Sequence, residues 1–103
     1  MSVTVKVYLN TNERDSFMRG YQHGDPLRLA ATWNTSQNNP NEELNRAYHQ
    51  LNVDAPTEQW ARDYRANRNR SLSKGDVVVF GETAWSCESV GWKQISLTGA
   101  RFA

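Results

Sequence analysis

Residues 3–9 read Val-Thr-Val-Lys-Val-Tyr-Leu. Val3, Val5, Val7 and Leu9 point to one side of an extended chain; Thr4, Lys6 and Tyr8 point to the other. Period-two alternation rich in β-branched residues predicts a strand that buries one face. Further along, Leu27, Leu29, Ala31 and Trp33 alternate with Arg28, Ala30 and Thr32. This predicts a second strand, antiparallel to the first, with its apolar side chains on one side. Residues 10–26 between them are polar and hold Asn10, Asn12, Gly20, Gly24 and Pro26. That composition predicts a loop with one helical turn around Arg14–Met18. So long a connection in a compact domain is usually functional or mobile.

The cover for this hairpin is written in the middle of the chain. Asn39 suits a helix cap, Pro40 the first helical position, and Glu42 sits three residues after the cap. Leu44, Ala47, Tyr48 and Leu51 follow on one helical stripe, predicting a helix over 40–52. Thr57 is a second cap candidate, and Trp60, Ala61 and Tyr64 anchor a shorter, more polar helix over 57–67. Ser71–Asp76 reads as a turn and Val77–Phe80 as a central strand buried on both faces. Gly81-Glu82 is a tight turn. A strand over 84–88 follows, with Trp85 and Cys87 on one face, then a turn or bulge at Gly91 and a last strand over 92–97. The order is β-β-α-α-β-β-β. The expected fold is α+β: an antiparallel sheet of about five strands with two helices packed on one face. Residues 1–98 form the expected domain and 99–103 a frayed tail. How the first hairpin joins the C-terminal meander stays open.

A chain of 103 residues makes one domain. Its four Trp, four Tyr and three Phe are expected to glue helices to the sheet, each large ring burying about 150–250 Å². Twelve basic against eleven acidic side chains leave a net charge of +1. This balance argues against a DNA mimic and against a bulk electrostatic nucleic-acid binder. Nine of the twelve basic residues are Arg, which suits phosphate or carboxylate recognition or reflects codon bias in a GC-rich genome. The single cysteine, Cys87, permits no internal disulfide and suits a reducing compartment. The first residues show no signal-peptide pattern, and no apolar run approaches the roughly 20 residues of a membrane span. A cytoplasmic location and no membrane partner are expected.

Catalytic sets are scarce. Cys87 with His23 or His49 is the one thiol–imidazole option, and a strand cysteine beside Trp85 reads as a small core group. No G-x-S-x-G elbow is present. His23 and Asp25 are close in sequence, but His49 stands alone on a helix, so no metal site and no cofactor are expected. Gly75-Asp76 and Gly81-Glu82 do not form a phosphate loop; Asp76 is expected to bond its own turn. An enzyme is not expected. Two candidate binding features remain. Tyr21, His23 and Asp25 sit in Gly20–Pro26, a loop that grips a ligand or is ordered by Tyr21 packing on the sheet. Arg62, Arg65, Arg68 and Arg70 fall on one helical stripe near Trp60 and Tyr64. That interleaving suits nucleic acid, or it is a solvated basic face, partly offset by Glu58 and Asp63, over an aromatic anchor.

Three motifs then carry a resemblance: Gly-Tyr-Gln-x-Gly-Asp-Pro at 20–26, Asn-Arg-Ser-Leu-Ser-Lys-Gly-Asp-Val-Val at 69–78, and Gly-Trp at 91–92. Over roughly residues 3–97 the chain resembles small uncharacterised proteins of actinobacterial phages, plasmids and integrated elements. The Ser-Leu-Ser-x-Gly-Asp-Val-Val piece is similar to the core of YodL-like domains of mobile elements. The resemblance implies a mobile-element accessory protein in the bacterial cytoplasm and no particular activity. The leading expectation is a non-enzymatic interaction protein that modulates an unidentified host or element protein through the 10–26 loop and the second helix. The alternative is a small nucleic-acid-binding module using Arg62, Arg65, Arg68 and Arg70. A monomer or a dimer through edge-strand pairing fits either.

Overall fold

The computed structural model describes residues 2–102. Met1, where the expected 1–98 domain begins, and Ala103, where the expected tail ends, lie outside the described residues. Among the described residues three helices and six strands follow in the order β1 (Val3–Asn10), α1 (Glu13–Arg19), β2 (Pro26–Thr35), α2 (Pro40–Asn52), α3 (Gln59–Ala66), β3 (Val77–Phe80), β4 (Thr83–Cys87), β5 (Trp92–Ile95) and β6 (Arg101–Phe102). They build one mixed sheet in the order β5-β4-β3-β1-β2-β6. All pairings are antiparallel except β2 with β6, which is parallel. The α+β class stands. The strand count rises from five to six, and the helix count from two to three.

The strand at 3–9 forms as its alternation predicts. Val5, Val7 and Leu9 are buried against α2 and α3, together with Trp33, Val78, Phe80, Leu44, Ala47, Leu51, Ala61, Tyr64 and Leu72. The opposite face is also covered. Leu27, Val77 and Ala84 form a smaller core there, joined by Tyr8, Tyr21, Val79, Ile95 and Leu97. β3 is therefore buried on both sides, as a four-residue apolar run suggests.

β2 departs from its predicted pattern. Val7 pairs with Ala31 but Tyr8 pairs with Leu29, so Ala30 is an extra residue and the ladder bulges there. An inserted residue reverses the facing of everything beyond it. Trp33 consequently points to the helices while Leu27 points to the opposite core. The four apolar residues that alternate so regularly in sequence do not share a face.

The segment expected to fray contributes a strand. Arg101 and Phe102 pair with Pro26 and Leu27, and Phe102 lies 5.2 Å from Tyr8, ring centre to ring centre. This connects opposite edges of the sheet. Six Cα steps from Ile95 to Arg101 span at most roughly 22 Å, whereas five strand spacings of a flat sheet come to roughly 24 Å. The sheet must curl for the chain to reach, and Leu97 packs inside the curl. Beyond Leu27, β2 has no partner on its outer edge among the described residues.

α2 begins where the sequence places it, with the Asn39 side chain accepting from the Glu42 N–H at 3.3 Å and Pro40 in the first turn. Tyr48, read as part of its buried stripe, is instead exposed. α3 starts two residues later than expected, because Thr57 is taken by Gln50: its N–H donates to Gln50 Oε1 at 2.9 Å, and its hydroxyl accepts from Gln50 Nε2 at 2.8 Å. α1 replaces the single predicted turn. Its buried Ser16 lies against Gly75, which has φ +95°; a Cβ there would fall 2.5 Å from Ser16 Cβ. Gly75→Ala is therefore expected to cost about 2–4 kcal/mol, from left-handed backbone strain and overpacking together. Urea unfolding of the variant against the parent checks this.

Candidate functional site

At the end of the sheet where β1 stops and β3 starts, one polar network holds the molecule together. Asp76 is fully buried. Its Oδ1 accepts from Asn10 N at 2.8 Å and Arg70 Nη2 at 2.7 Å. Its Oδ2 accepts from Arg70 Nη1 at 2.7 Å and Ser73 N at 2.8 Å. The bond to the turn was expected; the arginine was not. Arg70 also donates to the Asn10 carbonyl at 3.1 Å and to Glu13 at 2.7 Å. Its hydrogen bonds to Asp76 raise its pKa further. Asn10 carries the network onward, donating from Nδ2 to Asp25 at 2.9 Å and to the Gly75 carbonyl at 3.2 Å. Asp25 takes a two-pronged bond from Arg19 at 3.0 and 2.8 Å, and another from the Gln22 N–H at 3.0 Å. The Arg19 guanidinium, helped by Asn10 and Gln22, holds the Asp25 carboxyl well below the usual carboxylate range against the opposing effect of burial. The two motifs at 20–26 and 69–78 are thus joined through Asn10. Removing one member of such a buried pair costs about 3–5 kcal/mol.

The aromatic rings mostly fasten the helices. Trp33 and Trp60 stack 3.6 Å apart at 7°. Trp33 donates to the buried Glu43 at 2.8 Å, and Arg46 pairs with Glu43 and Glu58 while lying 5.5 Å over Trp60. Tyr64 is buried and donates to the Arg70 carbonyl; burial pushes its pKa up to about 12. Trp92 donates to Asn45 at 3.2 Å and meets Tyr48 edge-on. Trp60 and Tyr64 are therefore not available to stack on bases.

The residues singled out in the sequence separate. Tyr21 packs on the smaller core, with its hydroxyl buried and unpartnered among the described residues, and burial raises its pKa. His23 is exposed beside Gly99. Asp25 belongs to the network. The four arginines do not form one stripe, because the helix ends at Ala66. Arg62 donates to the Thr57 carbonyl at 2.9 Å and Arg65 to the Val53 carbonyl, closing the connection between α2 and α3. Arg70 turns inward. Arg68 has φ 62°, the one left-handed residue besides glycines among the described residues, a conformation that costs roughly 1–2 kcal/mol. Cys87 is buried, and burial, with Asp76 and Glu88 nearby, pushes its thiol up to about 12.

A different constellation opens between α1 and residues 67–70. One hollow of about 390 Å³ is walled by Arg28, Arg68, Asn69 and Arg70, with Asn10 and Thr11. A neighbouring hollow of about 370 Å³ lies between Glu13, Arg14, Phe17, Arg70 and Ser73. Arg28 is held by Asn69 at 3.0 Å. Arg14 and Arg68 make no side-chain hydrogen bond or ion pair among the described residues. Phe17 is 63% exposed and the adjacent Met18 76%. Because Arg70 is neutralised by Asp76, Arg14, Arg28 and Arg68 face Glu13 alone, and the crevice is positive. Arg14 and Arg28 are isolated in the chain, so no sequence signal marks them. No protein-family model, curated protein or solved structure matches the chain.

Asp25 sets a pH dependence. A carboxyl whose folded pKa lies below its unfolded value contributes stability that is complete above the unfolded value, about 3.9, and is lost as pH falls toward the folded one. Acid unfolding is therefore expected to steepen below about pH 4. Asp25→Asn should be less stable near neutrality and show a shallower acid limb, read from urea midpoints across that range.

Proposed function

We propose that the chain is a non-enzymatic accessory protein of a phage or plasmid that binds nucleic acid through the arginine crevice between α1 and residues 67–70. The observation that carries this reading is a pair of adjoining hollows that share Glu13 and Arg70: Arg28 and Arg68 line one, and Arg14 with the exposed ring of Phe17 lines the other. Guanidinium groups match phosphate oxygens in a two-pronged geometry, and an aromatic ring beside them supplies a stacking platform. This surface takes over from the Arg62–Arg70 stripe and retains Arg68 from it, while Arg70, paired with Asp76 and Glu13, serves as wall. The mobile-element setting and the cytoplasmic location rest on the resemblance of the 20–26 and 69–78 motifs. The non-enzymatic reading is supported by the occupation of Asp25 and Asp76 by fixed donors and by the burial of Cys87.

A second reading is favoured by the protrusion of Phe17 and Met18 from one short helix. Adjacent exposed apolar residues beside arginines suit a host or element protein with an acidic, partly apolar segment, docked on the α1 part of the 10–26 stretch.

A gel-shift series with mixed DNA and RNA separates the two. With about three phosphates neutralised, the logarithm of affinity should fall with the logarithm of salt at a slope of roughly −2 for single strands and roughly −3 for duplex. Absence of retardation at low salt would discard the nucleic-acid reading and leave the protein partner. Self-association is assigned to the open outer edge of β2, where residues 29–35 carry no charge or proline. Thr32→Glu, which faces Lys6 within the chain, should then split a dimer into monomers by light scattering without loss of stability.

A further inference from the structure

We infer that the crevice receives a single unpaired nucleotide, its phosphate between Arg28 and Arg68 and its base against Phe17. The inference rests on the nucleic-acid reading above and specifies its substrate as single-stranded.

The two hollows differ in chemistry and share a wall made by Glu13 and Arg70. One is polar, with Arg28 and Arg68 beside the shared Arg70, and with Asn69 and Thr11. The other is more apolar, bounded by the Phe17 ring, with Arg14 and the Ser73 hydroxyl at its rim. Each falls within the size range of small-ligand sites. A nucleotide has the same division: a dianionic or monoanionic phosphate at one end and a flat ring at the other. Glu13 borders both hollows and offers an acceptor for a sugar hydroxyl or a base amino group between them. A base stacked inside a duplex cannot lay its face on Phe17, so the pairing of hollows selects an unpaired nucleotide.

Arg68 supplies an independent observation. Its backbone is left-handed, a conformation that glycine adopts freely and arginine does not. The turn itself is held by neighbours: Asn69 Nδ2 donates to the Tyr64 carbonyl at 3.0 Å and the Arg68 N–H donates to the Arg65 carbonyl at 2.9 Å. The Arg68 side chain contributes no hydrogen bond to the turn. The fold thus accommodates a strained arginine whose guanidinium is left for the crevice, which is the arrangement of a binding group.

Arg68→Gly tests this with little risk to folding, since glycine relieves the backbone. The measurement is fluorescence anisotropy of a labelled single-stranded oligo-dA and of its duplex with oligo-dT, with adenosine monophosphate and inorganic phosphate as competitors, alongside a thermal melt. The expected result is tighter binding of the single strand, competition by the mononucleotide, and about tenfold or greater weakening by Arg68→Gly with an unchanged or raised melting temperature. Phe17→Ala should weaken the single strand and the mononucleotide and leave displacement by inorganic phosphate unaltered. If the strand binds and the free mononucleotide does not compete, the single-nucleotide site is overturned and the nucleic-acid reading stands. Equal or tighter binding of the duplex, or binding insensitive to both substitutions, overturns the inference and leaves the nucleic-acid reading standing. If no oligonucleotide binds at low salt, that reading falls too, and capture of an acidic peptide by the same surface would favour the protein partner.

Discussion

A carboxylate sealed from water must find its partners inside the protein, and Asp76 finds four donors. An unpaired charge in its place would be costly enough to threaten a domain of this size. The donors come from two separated parts of the chain: the end of β1, and the segment from α3 to β3 that carries Arg70 and Ser73. Satisfying Asp76 therefore positions β1 against β3 and fixes where the chain leaves α3. Asn10 extends the same constraint to Asp25 and Arg19. The 10–26 stretch is consequently seated on the end of the sheet, with α1 pressed on Gly75.

The second determinant is a sheet with two covered faces. Two helices take the larger apolar face, and the 20–26 segment and the chain after β5 take the smaller one. The bulge at Ala30 makes this possible, since it sends Trp33 to one side and Leu27 to the other. The short return from β5 to β6 then holds the curl. Trp33 stacked on Trp60, with Glu43 and Arg46 beneath, locks α2 and α3 to β2. Trp33, Trp60 and Tyr64 are spent on packing, whereas Phe17 stands exposed.

These demands also shape the candidate site. Arg70 is consumed in satisfying Asp76, yet its placement brings Arg68 and Asn69 beside Arg28, and it brings α1 with Arg14 and Phe17 to the neighbouring wall. The positive crevice is a by-product of the network that closes the fold. Its cations are the ones that the network does not use.

Much of this architecture is legible in the chain. Alternation over 3–9, the Asn39-Pro40-x-Glu42 start with Leu44, Ala47 and Leu51, and the run Val77–Phe80 identify a sheet with helical cover, because local periodicity reports which side of an element meets the core. Local patterns are blind to partners distant in sequence. The face reversal at Ala30 depends on how β1 pairs, the strand at 101–102 depends on the curl that brings it to Pro26, and the burial of Glu43 depends on Trp33 and Arg46 closing over it. The crevice is the extreme case: Arg14, Arg28 and Arg68 are each unremarkable where they stand. Only folding assembles them: β1 pairing sets Arg28 opposite Leu9, Asn69 holds Arg28 beside Arg68, and the Arg70–Glu13 pair brings α1 alongside, and no spacing rule connects these segments.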